Sequence, residues 1–197
     1  MIFDDLRNPK LIRYRMILSE IEGERILDLG SAKGGLHEFL LRNSKSKFIG
    51  IDIKKSQNTD VIADLNGGFP LKSSSVHTVI AGELLPYIIE PYYFLKECHR
   101  VIKPNGKLII TVPNSRGLQF IIGHDYPDQI YGWTMPFFVR LIESAGFKVE
   151  KTAFLNASFW SANPAFRVIC ELIRSIKPVL FVSCRKLEKS KTLSKNK

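Results

Sequence analysis

Residues 26–35, Ile-Leu-Asp-Leu-Gly-Ser-Ala-Lys-Gly-Gly, constrain this chain more than any other stretch. An apolar run that breaks into closely spaced glycines reads as a strand turning through a tight loop into a helix. Helical spacing follows over 36–42, then a polar turn, Asn43-Ser44-Lys45-Ser46-Lys47, then a second apolar run, Phe48-Ile49-Gly50-Ile51-Asp52. Strand, helix and strand in that order make a parallel pair joined by a crossover. A chain that begins its sheet this way is committed to an α/β architecture.

The remaining pattern extends the same unit. Short strands are expected at 60–63 and 76–81, a helix at 91–102 stopped by Lys103-Pro104-Asn105-Gly106, and a strongly apolar strand at 107–112. A helix over 135–145 ends at Gly146, a strand follows over 147–155, a helix over 164–176 stops at Lys177-Pro178, and a final strand covers 179–185. Ahead of the first strand, Leu11, Ile12, Arg13, Met16, Ile17 and Ile21 fall near helical spacing, so 1–22 reads as an N-terminal helical cap. Strands apolar along their whole length belong to a sheet covered on both faces, and the closeness of the last two lets them pair antiparallel at its edge. We expect one domain over 1–185 and a basic, disordered tail over 186–197, since 197 residues suit one core better than two.

In open α/β sheets, ligands sit beyond the carboxyl ends of the strands. Gly30, Gly34 and Gly35 follow the first strand and bring backbone N–H groups close to such a ligand. Asp52 ends the second strand 22 residues after Gly30, where a carboxylate can accept from both hydroxyls of a ribose. The spacing Gly30-x-Ala32-x-x-Gly35 nearly repeats the dinucleotide fingerprint, but the Ala32 methyl crowds the place of a pyrophosphate. Asp28 would repel phosphates and favour the ammonium and sulfonium charges of S-adenosylmethionine. A glycine turn with Asp28 as a helix cap explains the glycines without a ligand, but leaves Asp52 at its spacing unexplained.

With Asp28, Gly30, Gly34 and Asp52 in place, the sequence resembles the class I S-adenosylmethionine-dependent methyltransferases, especially their type 11 group. Ala63-Asp64-Leu65, Phe69-Pro70-Leu71, the stretch from Phe94 through Arg100 and Pro104 to Asn114, and Leu141 to Val149 continue the resemblance in order. It spans about residues 25–185. It implies a Rossmann-like three-layer sandwich, a seven-stranded mixed sheet with the last strand antiparallel, and S-adenosylmethionine as cofactor. It also implies cofactor contacts by Asp28, Gly30, Ser31, Ala32, Gly34, Asp52, Ile53, Asp64, Leu65 and Glu83.

The acceptor is less sharply written. The loop after the fourth strand, Gly82-Glu83-Leu84-Leu85-Pro86-Tyr87, lacks the Asn-Pro-Pro-Tyr type of sequence that base-modifying enzymes carry. The polar, aromatic stretch 123–133 has the character of an acceptor loop, with His124 beside Asp125 as a general base near neutral pH. Tyr87, Tyr126, Tyr131 and Trp133 are the expected acceptor contacts; the competing role for Trp133 is core packing. Net charge is +10, but residues 185–197 hold six Lys or Arg against one Glu, so half of the excess lies in the tail and nucleic acid is disfavoured as partner. Arg167, Arg174 and Lys177 give the last expected helix a basic side suited to peripheral contact with an anionic membrane. Cys98, Cys170 and Cys184 follow no metal-ligand spacing and read as free thiols, without disulfides. With no signal-like N-terminus, they fit a cytoplasmic protein. The expected activity is methyl transfer to a small-molecule, glycan or lipid-linked acceptor; the alternatives are an RNA or protein methyltransferase and a non-catalytic cofactor-binding subunit.

Overall fold

A computed structural model describes residues 9–32, 35–121, 127–156, 168, 169 and 172–187. Helix α1 (Pro9–Glu20) leads into β1 (Arg25–Leu29), α2 (Leu36–Asn43) and β2 (Lys47–Asp52). There follow β3 (Val61–Ile62), β4 (Val76–Gly82), a 3-10 turn at Leu85–Tyr87, α3 (Pro91–Val101) and β5 (Ile102–Pro113). The chain continues through α4 (Leu118–Ile121), α5 (Met135–Ser144), β6 (Phe147–Leu155), a 3-10 turn at Arg174–Ile176 and β7 (Val179–Lys186). The seven strands form one sheet in the order β3-β2-β1-β4-β5-β7-β6. Strands β1 to β5 pair in parallel, and β7 is antiparallel to both neighbours.

Alternate side chains of each strand go to opposite faces, and both faces are dry. Ile26, Ile80, Ile109 and Phe181 meet Tyr14 and Ile17 of α1 and Leu36 and Leu40 of α2. Leu27, Val79, Leu108, Ile110, Leu180 and Val182 meet Phe94, Leu95 and Cys98 of α3 and Phe138 and Ile142 of α5. The three-layer sandwich expected from the sequence is therefore present. Cys98 and Cys184 are buried free thiols in the second of these layers; Cys170 lies outside the described residues.

Several expectations shift. Strand β5 starts at Ile102, not at residue 107, because Ile102 pairs with Val76 before the Pro104-Asn105-Gly106 turn; the register then jumps so that Lys107 meets Thr78. The turn expected to separate helix from strand is thus a bulge within the strand. Strand β3 shrinks to two residues that touch only the end of β2. The last two strands do pair antiparallel at the sheet's edge as expected, with β7 between β5 and β6 and β6 outermost. Of the expected helix 164–176, residues 164–167, 170 and 171 lie outside the described residues, as does the tail beyond residue 187; residues 168, 169 and 172 are helical, and 174–176 form the 3-10 turn instead of continuing the helix.

Candidate active site

The carboxyl ends of β1, β2 and β4 meet where the strand order reverses, β1 lying between β2 and β4. Two adjoining cavities open there. The smaller, about 160 Å³, is lined by Gly30, Asp52, Ile53, Ala63, Asp64, Leu65, Asn66, Leu84, Tyr87 and Ile88. The larger, about 490 Å³, shares Gly30, Asp52, Ile53, Leu84 and Tyr87 and adds Arg13, Ala32, Lys54, Gly82, Glu83 and Asp128.

The first loop leaves β1 through Gly30 at φ +79°, a conformation that side-chain-bearing residues rarely adopt, and the Gly30 N–H donates to Ile51 O at 2.8 Å. Asp52 then ties the loops together. Its Oδ2 accepts from Ala32 N–H at 3.0 Å and its Oδ1 from Lys54 N–H at 2.9 Å. Each oxygen keeps a further lone pair toward the cavities. Asp64 accepts from the Asn66 backbone and side chain, and Asn66 in turn accepts from Ile89 N–H, so the loops after β3 and β4 are joined. Ile53, 62% exposed, and Leu65, 5% exposed, supply apolar walls.

Glu83 follows β4 at φ +60° and donates its N–H to Thr111 O, a strained residue held by its neighbours at the mouth of the larger cavity. Its Oε1 lies 3.2 Å from Arg13 Nη1. Burial raises the Glu83 carboxyl above its usual range against the pull of the Arg13 guanidinium. Arg13 Nε and Ser31 Oγ are buried without a hydrogen-bond partner. Of the two, Arg13 lines the larger cavity, where an orphaned donor is expected if a ligand completes the set, while Ser31 lines neither.

Three sequence expectations change. Asp28 does not line either cavity. With Ile26 it projects to the face covered by α1 and α2, where its Oδ2 lies 3.0 Å from His37 Nδ1, both side chains almost fully buried. Burial raises its carboxyl and the His37 contact opposes that shift; its geometry supports positioning of the loop and α2, not contact with an ammonium. Trp133 is 9% exposed and packs on Phe138, so the core role prevails. Tyr131 lines neither cavity; its hydroxyl donates to Ile89 O at 2.8 Å and so ties the 127–133 loop to the loop after β4. Tyr87 is the expected acceptor contact that reaches both cavities. Gly34, His124 and Tyr126 lie outside the described residues. Arg13 and Asn66 were missed. For Arg13 the signal was present, a cation at an apolar-spaced position of an amphipathic helix; for Asn66 no local pattern announced it.

Residues 27–110 match the family model described as methyltransferase domain. A probable S-adenosylmethionine-dependent methyltransferase of Mycolicibacterium smegmatis is 27% identical over 71% of this chain and 58% of its own length. The mitochondrial ubiquinone biosynthesis O-methyltransferase of Mus musculus is 27% identical over 79% of this chain and 51% of its own. The chain thus spans little more than half of these curated relatives. A crystal structure of an S-adenosylmethionine-dependent methyltransferase from Archaeoglobus fulgidus superposes with a TM-score of 0.69 at 18% identity, covering 89% of this chain and 92% of that one, a likeness of fold. Taken with the ordered motifs and the reversed strand order at the cavities, these matches make the chain similar to the class I S-adenosylmethionine-dependent methyltransferases of type 11, with the match to the family model confined to residues 27–110.

Proposed function

We propose that this chain binds S-adenosylmethionine across the carboxyl ends of β1, β2 and β4 and transfers its methyl group to a small-molecule acceptor, glycan or lipid-linked compounds included. The observation that carries the reading is Asp52, whose carboxylate braces the Gly30–Ala32 loop while facing both cavities. Its free lone pairs suit the two ribose hydroxyls. Ile53 and Leu65 sandwich an adenine, with Asp64 and its neighbouring backbone at the ring edge, all within the smaller cavity. In the larger cavity the orphaned Arg13 Nε–H suits the carboxylate of the amino-acid portion, with Glu83 beside it for the ammonium. Ala32 lines the same cavity, and contacts by Ser31 and Gly34 belong to the same proposal.

When bound, the cofactor supplies a methyl group on a sulfonium, released by in-line displacement. The protein's part is alignment and removal of water. Tyr87, exposed at the junction of both cavities, orients the acceptor, and Gln129 Nε2 lies 3.5 Å from its hydroxyl. His124 is assigned to accept the acceptor's proton, and Tyr126 to contact the acceptor. The curated ubiquinone biosynthesis O-methyltransferases support a small acceptor with a reacting oxygen.

Calorimetry with S-adenosylmethionine on the whole chain tests the cofactor half; absence of binding would end the reading. Transfer of labelled methyl into fractionated extract tests the acceptor half. Label in the small-molecule or lipid fraction supports it, and label confined to RNA or protein overturns it. An H124A variant with unchanged turnover removes His124 from the chemistry.

A further inference from the structure

One side-chain amide joins the wall of the smaller cavity to the loop at 127–133. Asn66, which lines that cavity, donates its backbone N–H and its Nδ2 to Asp64 Oδ1 at 3.0 and 2.9 Å, and its Oδ1 accepts from Ile89 N–H at 2.9 Å. A carboxylate only accepts and a backbone N–H only donates, so the two partners fix both ends of the planar Asn66 amide. A rotation that frees one end frees the other. Ile89 is held from its far side as well, its carbonyl accepting from the Tyr131 hydroxyl at 2.8 Å. Its side chain is 57% exposed, so polar bonds rather than packing hold this position. On the loop itself, Ile130 N–H donates to Pro86 O at 2.8 Å, and the Tyr131 and Trp133 ring centroids lie 6.0 Å apart.

Every donor in this series points the same way: Tyr131 to Ile89, Ile89 to Asn66, Asn66 to Asp64. The series ends on a carboxylate whose Oδ1 takes both Asn66 bonds and whose Oδ2 takes neither. We propose that Asn66 and Tyr131 are positioning residues that make the placing of residues 130–133 depend on an adenine in the smaller cavity, a coupling that rests on S-adenosylmethionine being the ligand there. The adenine amino group, donating to Asp64 Oδ2, holds the carboxylate. The carboxylate holds the Asn66 amide, and the amide holds Ile89 where the Tyr131 hydroxyl meets it. Linkage makes the effect reciprocal, so the docked loop tightens the cofactor in turn. Methyl donor and acceptor loop are thereby set in place together.

Amide hydrogen exchange on the full chain, read over residues 130–133 with and without saturating S-adenosylmethionine, tests this. Asp128, which lines the larger cavity, lies outside that window. In the unaltered chain the cofactor should slow exchange about fivefold, the worth of roughly one hydrogen bond. The slowing should vanish in Y131F, a substitution that keeps the ring and removes only the hydroxyl, and in N66A once saturated. By linkage Y131F should also bind the cofactor about fivefold more weakly in calorimetry. Equal exchange with and without cofactor in the unaltered chain overturns the proposal, as does unchanged affinity in Y131F. Slowing that persists in saturated N66A or in Y131F overturns it too, since the cofactor would then act on the loop directly. Calorimetry on the same samples separates the two readings: no binding at all ends the cofactor reading and the coupling with it, whereas binding without slowing ends the coupling alone.

Discussion

The two ends of the sheet handle charge in opposite ways. At the amino end, Lys107 Nζ lies 3.1 Å from Glu20, 3.0 Å from Glu22 and 3.6 Å from Glu150, and Arg185 bonds Glu22 at 3.0 Å and Glu150 at 2.6 Å. Lys151 completes the cluster at 2.7 Å from Glu20. Hydrogen bonding from Arg185 drives the Glu22 carboxyl down to about 2 and lowers that of Glu150. At the carboxyl end, Asp28 and Glu83 each have one basic partner and burial raises both. Arg13 Nε, buried on the wall of the larger cavity, lacks a hydrogen-bond partner there. Saturated charge is a clamp between α1, β5, β6 and β7; unsaturated charge is room for a ligand.

The largest effect should come from breaking the clamp. A K107M variant leaves Glu20, Glu22 and Glu150 without their shared cation and should cost about 3 kcal/mol in urea unfolding, below the figure for a wholly buried pair because Glu22 and Glu150 are partly in water. Its cofactor affinity should stay within about threefold of the unaltered chain, roughly 0.6 kcal/mol. Loss of binding in folded K107M would break the separation between the two ends. Next, D52A should weaken S-adenosylmethionine by about 2 kcal/mol, roughly thirtyfold by calorimetry, with a smaller stability loss. An R13Q variant should weaken binding about tenfold by removing a charge-assisted contact; unchanged affinity would leave the Arg13–Glu83 pair as a brace for α1.

The smallest effect concerns acid. The Glu22 carboxyl sits below its ordinary 4.5 in the folded chain, so its stabilisation is full above that value and drains away as pH falls toward about 2. Asp28 and Glu83, raised by burial, act with the other sign: their folded-state advantage lies at low pH and is lost as pH rises through their shifted values. Urea midpoints recorded below pH 4.5 should fall with acid in the unaltered chain and fall less steeply in R185Q. A parallel decline in both would remove Arg185 as the source.

What could be read in the sequence follows from range. Continuous apolar runs gave β1, β2, β4 and most of β5, because a strand buried on both faces needs nothing but its own residues to announce it. Asp52, Asp64 and Gly30 line the cavities at the places expected from the sequence, because their positions are fixed by strand ends. Asp28 misled because the same continuous burial hides which face a residue takes; only the packing of α2 against Ile26 and Asp28 reveals His37 as its partner. The Ile102–Val76 pairing and the insertion of β7 depend on contacts distant in sequence, and Arg13 reaches Glu83 across 70 residues of chain.

The placing of β7 has a consequence for how the molecule is made. On a ribosome β6 emerges before β7, yet among the described residues its ladder partner throughout Phe147–Leu155 is β7 alone. Until residues 179–186 leave the exit tunnel, β6 has no neighbour and β5 has one open flank, a template for pairing with another nascent chain. The exposed Lys148, Glu150, Lys151 and Thr152 along β6 work as gatekeepers during that interval. They keep an unfinished sheet from recruiting a stranger before β7 arrives.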